Sequence, residues 1–582
     1  MAPAGLQSGD IVPVGGSQTS LSRHRAYIYL ALIVIGAAVW RLPLLLRADR
    51  FFTSDEAIVG LMARHVLEGD LPVFFWGQRY MGTIESFLAA GVFSIAGDSV
   101  LALKLVPLLV FLAFLLAHYD LASLLCGSEA ALLSVLLLAV GTPVLYSWSA
   151  RAMAGYMETL LLGTLLLSTI VRYERAPSRR LLFAAGVVGG LGWWTSQLVA
   201  CFVLAGAVWL VRGRIRRVRI PSWTEVRSWI TLSPIVSSLP VALRALLVSM
   251  NVLAAVYLGL GALVLLTGGG ELKWGPLYAK ATDGWKLAGY AGCWVIVETV
   301  FLAMLVRRET ALAALRRYGP VAVGFVMGYA PALYGWLKLG SSSAQLQKFS
   351  LPELLARLPV FFSDIIPLVA GGSLPDGLGP SWMTTAVLLG LLLPVIAATV
   401  RDKAAALPAL TAASTIALLL FSGNFSDLNS YRYLLPICAP MSILYARGIG
   451  RFKPAALRVG LVSALLLIWG LQDHRYVGTL DPDFDTGRIV QWLRSRSVES
   501  GYADYWIAYR LDFISKEDPL LAPYKSQDRY PRYTEKARSA GVAAYVFHVG
   551  DPIWPRFTRA KRLLIREQAL IGRHRVYLVS QR

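Results

Sequence analysis

A mainly α, polytopic membrane protein with a small α/β soluble domain at its C-terminus is the fold class this sequence predicts. Three observations carry it. Hydrophobic residues make up 56% of the 582 and charged residues 16%, and the mean hydropathy is +0.57, too apolar for a soluble chain of this size. Apolar stretches recur along most of the length, as in "YIYLALIVIGAAVW" and "LLSVLLLAVGTPVLY". After about residue 472 they give way to segments rich in Asp, Arg, Tyr and Pro.

Residues 1–22 are rich in Gly, Ser and Pro and lack the charged start and apolar core of a cleavable signal. They read as a disordered cytoplasmic tail before an uncleaved first span. A spanning helix needs about 20 apolar residues, and about 13 stretches supply them. Their centres fall near residues 36, 109, 138, 164, 187, 204, 256, 296, 328, 391, 413, 441 and 463. The fifth and sixth are short, and "WWTSQ" between them predicts a tight hairpin. Residues 228–247 fit either an interfacial helix or a further span. The 17 Trp and 25 Tyr suit aromatic belts at the two interfaces.

Lys and Arg test the order of the spans, because cytoplasmic loops collect them. With the N-terminus inside, the inner loops are "RYERAPSRR" (172–180), "RGRIRRVR" (212–219), "RRETALAALRR" (307–317), "RDK" (401–403) and "RGIGRFK" (447–453), all basic. The expected division is therefore a tail (1–22), a membrane domain (23–471) with a first outer loop (47–98), and an outer α/β domain (472–582). In the last, "DTGRIVQWLRSRS" has helical periodicity, while "AAYVFHV" and "HRVYLVS" read as strands. An integral protein of the bacterial inner membrane follows, its N-terminus cytoplasmic and its C-terminal domain outside. No internal repeat is visible.

The net charge of +21 does not imply a nucleic-acid partner, since the basic residues lie between apolar runs rather than on a soluble face. Membrane lipids are the expected surroundings. The four Cys lack zinc or disulfide spacing and read as small core residues.

The first outer loop carries the chemistry, and loops of its length are usually functional. It holds the adjacent acids Asp55 and Glu56 in "TSDEAIVGLMARHVLEG". Ile58, Leu61, Met62 and Val66 share one helical face, which predicts an amphipathic helix on the membrane surface ending at Gly69. "TSDE" is also a capping box: Thr53 caps the helix, Glu56 reaches back, and the dipole favours Asp55. A cap and a fixed catalytic carboxylate are compatible roles. Farther on, "FFWGQRYMGTIESFLAA" brings Gln78, Arg79, Tyr80 and Glu85 between apolar anchors. Arg151 and Glu158 in "SARAMAGYMETLLLG" and Arg432 in "NSYRYLLP" fall at outer ends of spans. Ionisable groups at membrane depth are costly and by default functional. Such a set suits transfer of a sugar from a lipid phosphate: arginines hold the phosphate leaving group, one carboxylate takes the acceptor proton, and direct displacement inverts the sugar carbon.

At these residues the sequence resembles the GT-C fold, lipid-dependent glycosyltransferases of the bacterial family 39 type, related to the protein O-mannosyltransferases and the aminoarabinose transferases of lipid A. The likeness rests on "SDEA" after a short first span, "WGQRYMGTIESFLAAGVFSIAG", "RAMAGYMETLLLG", "GLGWWTSQ", "YRYLLP", "GYADYWIAYRLDFIS" and "DRYPRY". It implies Asp55 as catalytic base, Glu56 as a second acid of the motif, and Arg432 near the donor phosphate. Arg79, Tyr80, Glu85, Arg151 and Glu158 share the motif likeness as substrate-binding positions. Some members bind a divalent cation, Mg or Mn, at the acid pair and others act without one. The implied partners are a polyprenyl-phosphate-linked sugar donor and a lipid, protein or glycan hydroxyl acceptor. A transporter or flippase of lipid-linked glycans is the competing reading, and an inactive accessory subunit a third.

Overall fold

The computed structural model describes residues 23–215, 308–339, 351–375, 382–421, 428–480, 485–524, 527–561 and 564–581, with short pieces between 249 and 281. Its principal helices before the C-terminal domain are α1 (Arg23–Trp40), α2 (Ser54–Leu67), α3 (Ile84–Ala96), α4 (Val100–Cys126), α5 (Ser128–Val140), α6 (Tyr156–Arg175), α7 (Arg179–Thr195), α8 (Ala200–Ile215), α9 (Arg308–Leu339), α10 (Trp382–Ala397), α11 (Ala406–Phe421), α12 (Cys438–Ile449) and α13 (Ala455–Gly478). Among the described residues, Arg23–Leu45, Val100–Cys126, Arg316–Leu339, Lys403–Phe421 and Ala455–Gly478 are long and apolar enough to cross a membrane. The chain is an integral membrane protein. Every expected span centre on described residues lies in a helix. The centre near 296, the segment 228–247 and the tail 1–22 lie outside the described residues.

Two local expectations are corrected. "WWTSQ" does form a tight connection, a short turn at Gln197–Val199, but α7 and α8 each pack on α6 instead of closing into a hairpin. The basic stretch 307–317 is no loop: from Arg308 it is the first three turns of α9.

Two kinds of contact lock the helices. The α7–α9 crossing is a backbone contact, in which a Cβ at Gly190 would lie 2.2 Å from the Phe325 carbonyl oxygen and one at Gly328 2.2 Å from that of Val187. Gly186 and Gly324 repeat this one turn away, a small-xxx-small face on each helix. Between α4, α5 and α12, the buried His118 ring bonds the Ser134 hydroxyl at 2.7 Å and the Ser442 hydroxyl at 3.0 Å. Interhelical polar bonds of this kind act as glue in an apolar bundle.

Several basic loops gather at one end. Arg447 and Arg451 bind Asp402 at 2.8 and 3.1 Å, and Arg172 pairs with Asp120 near the end of α4. From Lys104 near the start of that helix to Asp120 is about 24 Å of rise. Cys126, Cys201 and Cys438 are free, and Cys293 lies outside the described residues.

Helix α13 carries the chain through 472 to Gly478, and the α/β elements begin with α14 (Asp485–Arg494). There follow β3 (Ser500–Ala503), α15 (Tyr505–Ser515), β4 (Leu520–Pro523), α16 (Pro531–Ser539), β5 (Val542–His548), α17 (Trp554–Lys561), β6 (Ile565–Ile571) and β7 (His574–Ser580), where β1 and β2 are the short hairpin strands Phe74–Phe75 and Gln78–Gly82. The sheet order is β4-β3-β5-β7-β6. Its first three strands are parallel, joined by the crossover helices α15 and α16 as parallel strands require, and β5–β7–β6 are antiparallel. Both strands read from the sequence, β5 and β7, are adjacent.

This domain sits on loop 47–98. Tyr505, Tyr509 and Phe513 of α15 pack with Ile58, Leu61 and Met62 of α2 in one apolar cluster, and a Cβ at Gly60 would meet the Phe513 ring at 2.4 Å. The expected surface-lying α2 is corrected accordingly. Residues 57–63 are fully buried, because α3 and α4 cover one side and α15 the other.

Candidate active site

The site starts from the N-terminus of α2. Thr53 is its N-cap, and the capping box is complete: the Glu56 amide donates to Thr53 Oγ1 at 3.4 Å and the Thr53 amide to Glu56 Oε1 at 3.2 Å. Successive residues on a helix point about 100° apart, so the two acids face different surroundings. Glu56 points inward. Its Oε2 accepts from Lys104 Nζ at 2.6 Å and from the Ala152 amide at 3.2 Å, and both members of the ion pair are fully buried. Lys104 also lies 3.6 Å from the centre of the Phe51 ring.

Asp55 faces the other way, toward the C-terminal domain, where the Tyr505 hydroxyl donates to its Oδ1. Tyr80, Tyr156 and Arg432 are the further groups that feel its charge. Tyr80 comes from β2. Tyr156 opens α6 and packs on Trp148 with ring centres 4.5 Å apart, and Trp148 donates to the Tyr431 hydroxyl at 3.1 Å. That bond sets the 3₁₀ turn 428–437, so Arg432 follows directly, with Nη2 donating to the Tyr433 hydroxyl at 3.2 Å. Arg529 closes the far side, 5.7 Å from the centre of the Tyr505 ring. Burial first, then the Asp55 charge, push the Tyr505 phenol above its ordinary range, so it stays a protonated donor.

The structure therefore gathers Asp55, Tyr80 and Arg432 in one place, joined by Tyr156, Tyr505 and Arg529. A second group surrounds Lys104. Glu85 and Glu158 are each 3% exposed, and Glu85 accepts from the Ala154 amide. Burial, and then the neighbouring Glu158, push the Glu85 carboxyl well above the usual carboxylate range. Arg151 lies beside Lys104 and donates to the Tyr476 hydroxyl at 2.8 Å. Arg79 stands elsewhere, donating to the Leu339 carbonyl at the end of α9, while Trp336 bonds the Arg79 carbonyl at 3.2 Å. A cation at the last carbonyls of a helix is favourably placed.

Lys104, Tyr156, Tyr505 and Arg529 escaped the sequence reading. Lys104 had a signal, a lone cation within "LALKLVPLLV", and Tyr505 and Arg529 lie in quoted motifs. Nothing in the sequence pairs position 505 with position 55.

The donor set answers the question of a cation at the acid pair. Glu56 is consumed by Lys104, Thr53 and Ala152, so residues 55 and 56 do not turn two open carboxylates toward one point. Among the described residues no group of three or more His, Cys, Asp or Glu is placed to hold a metal ion.

A polar latch holds the domain over the site. Arg64 binds Asp98 at 2.7 Å and the Phe513 carbonyl at 2.7 Å, Lys516 binds Asp98 at 2.8 Å, and His65 binds Glu517 at 3.0 Å. Trp76 and Tyr530 stack beside His65 with centres 4.0 Å apart. Burial opposes protonation of His65, but the bond and charge of Glu517 raise its pKa above the ordinary 6.5. Burial works against ionised Glu517 too, yet the bonds from His65 and Tyr533 hold it below 4.5. The His65 contribution is full below 6.5 and lost as pH rises through its raised value. The Glu517 contribution is full above 4.5 and lost as pH falls through its lowered one. Docking is expected to be tightest between those values, so amide exchange in α15 should quicken on both sides of the window. His65→Gln should remove the alkaline limb and move the acid limb up, because Glu517 then keeps only its bond from Tyr533.

Comparison with known proteins agrees with this architecture. Residues 83–243 match the family described as dolichyl-phosphate-mannose-protein mannosyltransferase, a segment that holds Glu85, Arg151 and Glu158. No curated protein sequence matches. Apo ArnT from Cupriavidus metallidurans superposes with a TM-score of 0.54 at 11% identity, over 95% of this chain and 98% of that one. The same protein bound to undecaprenyl phosphate gives 0.39 at 14% identity over 96% and 98%. The Archaeoglobus fulgidus oligosaccharyltransferase gives 0.47 at 12% identity over 91% and 70%. The chain has a GT-C fold similar to that of ArnT, and over residues 83–243 its sequence is similar to the dolichyl-phosphate-mannose-protein mannosyltransferases.

Proposed function

We propose that this protein is an inverting glycosyltransferase that moves a sugar from a polyprenyl-phosphate carrier to a hydroxyl acceptor on the outer face of the membrane. The observation that carries the reading is the division of labour at the acid pair: Glu56 is locked to Lys104, and Asp55 alone faces a wall of tyrosines and Arg432. The description of the family matched by residues 83–243 supports a lipid-phosphate-linked donor.

In this mechanism Asp55 accepts the acceptor's hydroxyl proton on Oδ2 while the freed oxygen attacks the anomeric carbon. The bond from that carbon to the phosphate oxygen breaks on the opposite side, and its electron pair leaves with the polyprenyl phosphate. Arg432 neutralises the charge that develops there, the task for which a guanidinium is suited.

The outer-face assignment rests on the basic loops. Arg172, Arg447 and Arg451 collect at the end of α4 remote from Lys104, and the positive-inside rule puts that end in the cytoplasm. Acceptor choice falls to the C-terminal domain: Trp506, 58% exposed beside Tyr505, offers a ring to a sugar, whereas Tyr509 is core.

The test uses the full chain in proteoliposomes with a panel of radiolabelled polyprenyl-phosphate sugars and a cell-envelope extract. Label moving covalently into the extract is the expected result. Label that only crosses the bilayer would replace this reading with a flippase.

A further inference from the structure

We infer that Tyr505, supplied by the C-terminal α/β domain, is a positioning residue for Asp55, so that the active site is complete only when that domain is docked. The inference rests on the glycosyltransferase reading above and deepens it.

Three observations carry it. First, the Tyr505 hydroxyl donates to Asp55 Oδ1, across 450 positions of sequence. A carboxylate has two oxygens, and a donor fixed on one leaves the other as the site for an incoming proton. Second, Tyr505 is itself held. It is 4% exposed, follows the N-cap Asp504 of α15, and packs edge-on to Tyr509 and Trp506 at 5.5 and 5.0 Å between ring centres. Third, the support continues outward. Arg529, near the Tyr505 ring, is pinned by its backbone amide on the Tyr509 hydroxyl at 2.7 Å and packs against Gly77 in the β1–β2 turn, where a Cβ would come within 2.9 Å of Arg529 Cδ. With its amide turned, Gln78 accepts from both Arg529 Nη atoms at 2.9 Å. The hairpin, α15 and Asp55 thus form one rigid corner.

The chemical consequence lies in aim. A donor held on Oδ1 fixes the plane of the carboxylate, so that Oδ2 meets the incoming hydroxyl in one orientation, and removing the donor frees the group to turn. The groups that face Asp55 are Tyr80 on β2, Tyr156 on α6, Arg432 in the 3₁₀ turn and Tyr505 on α15, with Tyr433 and Arg529 next outward. Of these, Tyr505 bonds a carboxylate oxygen of Asp55.

The experiment measures kcat and the donor KM at neutral pH for wild type, Tyr505→Phe, Tyr533→Phe and Asp55→Asn, using whichever donor of the radiolabelled panel the wild type transfers. Tyr505→Phe keeps the ring and removes only the hydroxyl. About a tenfold fall in kcat is expected, with the donor KM unchanged, the signature of a misaimed base rather than lost binding. Tyr533→Phe removes a phenol of the same seam, bonded to Glu517, and should leave kcat where it was, because Glu517 keeps its bond from His65. An unchanged kcat in Tyr505→Phe, with Asp55→Asn inactive, overturns the positioning role and leaves the enzyme reading standing. An equal fall in Tyr533→Phe reduces Tyr505 to a seam contact. Absence of transfer from every donor by the wild type removes the enzyme reading and this inference together.

Discussion

Asp55→Asn is expected to lower sugar transfer by about 10²- to 10⁴-fold, the usual contribution of a positioned general base. Asn keeps the size and the acceptor oxygen that Tyr505 needs, and it keeps the cap, because Thr53 and Glu56 make both capping bonds. Stability should therefore change little while turnover collapses. Donor affinity should also persist, since Arg432 does not depend on the carboxylate for its bond to Tyr433. A variant that transfers at the wild-type rate would remove Asp55 from the chemistry. The measurement is initial rate against donor concentration, in which a fall confined to kcat separates loss of the base from loss of binding.

The second large effect is structural. Lys104→Met leaves the Glu56 carboxylate fully buried without its partner, and breaking a buried pair on one side costs about 3–5 kcal/mol. Denaturant titration in detergent should register that loss. Lys104→Met combined with Glu56→Gln should recover most of it, because no uncompensated charge remains and Gln still reaches the Thr53 amide. Activity should follow stability in this pair, in contrast to Asp55→Asn. Equal destabilisation by the single and double variants would mean that packing against Phe51, rather than the ion pair, is what Lys104 supplies.

The membrane helices were readable because the bilayer imposes a simple length and polarity rule that leaves its mark on composition. The capping box at Thr53 was readable for a similar reason: it is local, four residues wide. The two strands "AAYVFHV" and "HRVYLVS" announced themselves by β-branched and aromatic residues. What escaped was tertiary. Helix α2 looks amphipathic in isolation, and only the packing of α3, α4 and α15 around it explains why Ala57 and Ala63, off its apolar face, are as buried as Ile58. Glu56 carried two readings until Lys104 was found against it. Tyr505 meets Asp55 only because a domain begun after α13 folds back over the first loop. One sequence could supply both residues but not their meeting. The arginines divide in the same way: Arg432 joins Asp55, whereas Arg79 ties the hairpin to the last turn of α9.

The glycine crossing of α7 and α9 bears on the site from a distance. Its close approaches lie at Gly186 and Gly190 of α7 and at Gly324 and Gly328 of α9, midway along the second helix. The last turn of α9 holds the hairpin that supports Tyr80, so the anchor reaches the site itself. A side chain at either α9 glycine would push the two helices apart and swing that last turn, so bulk added inside the bundle would be felt as a displaced hairpin beside Asp55.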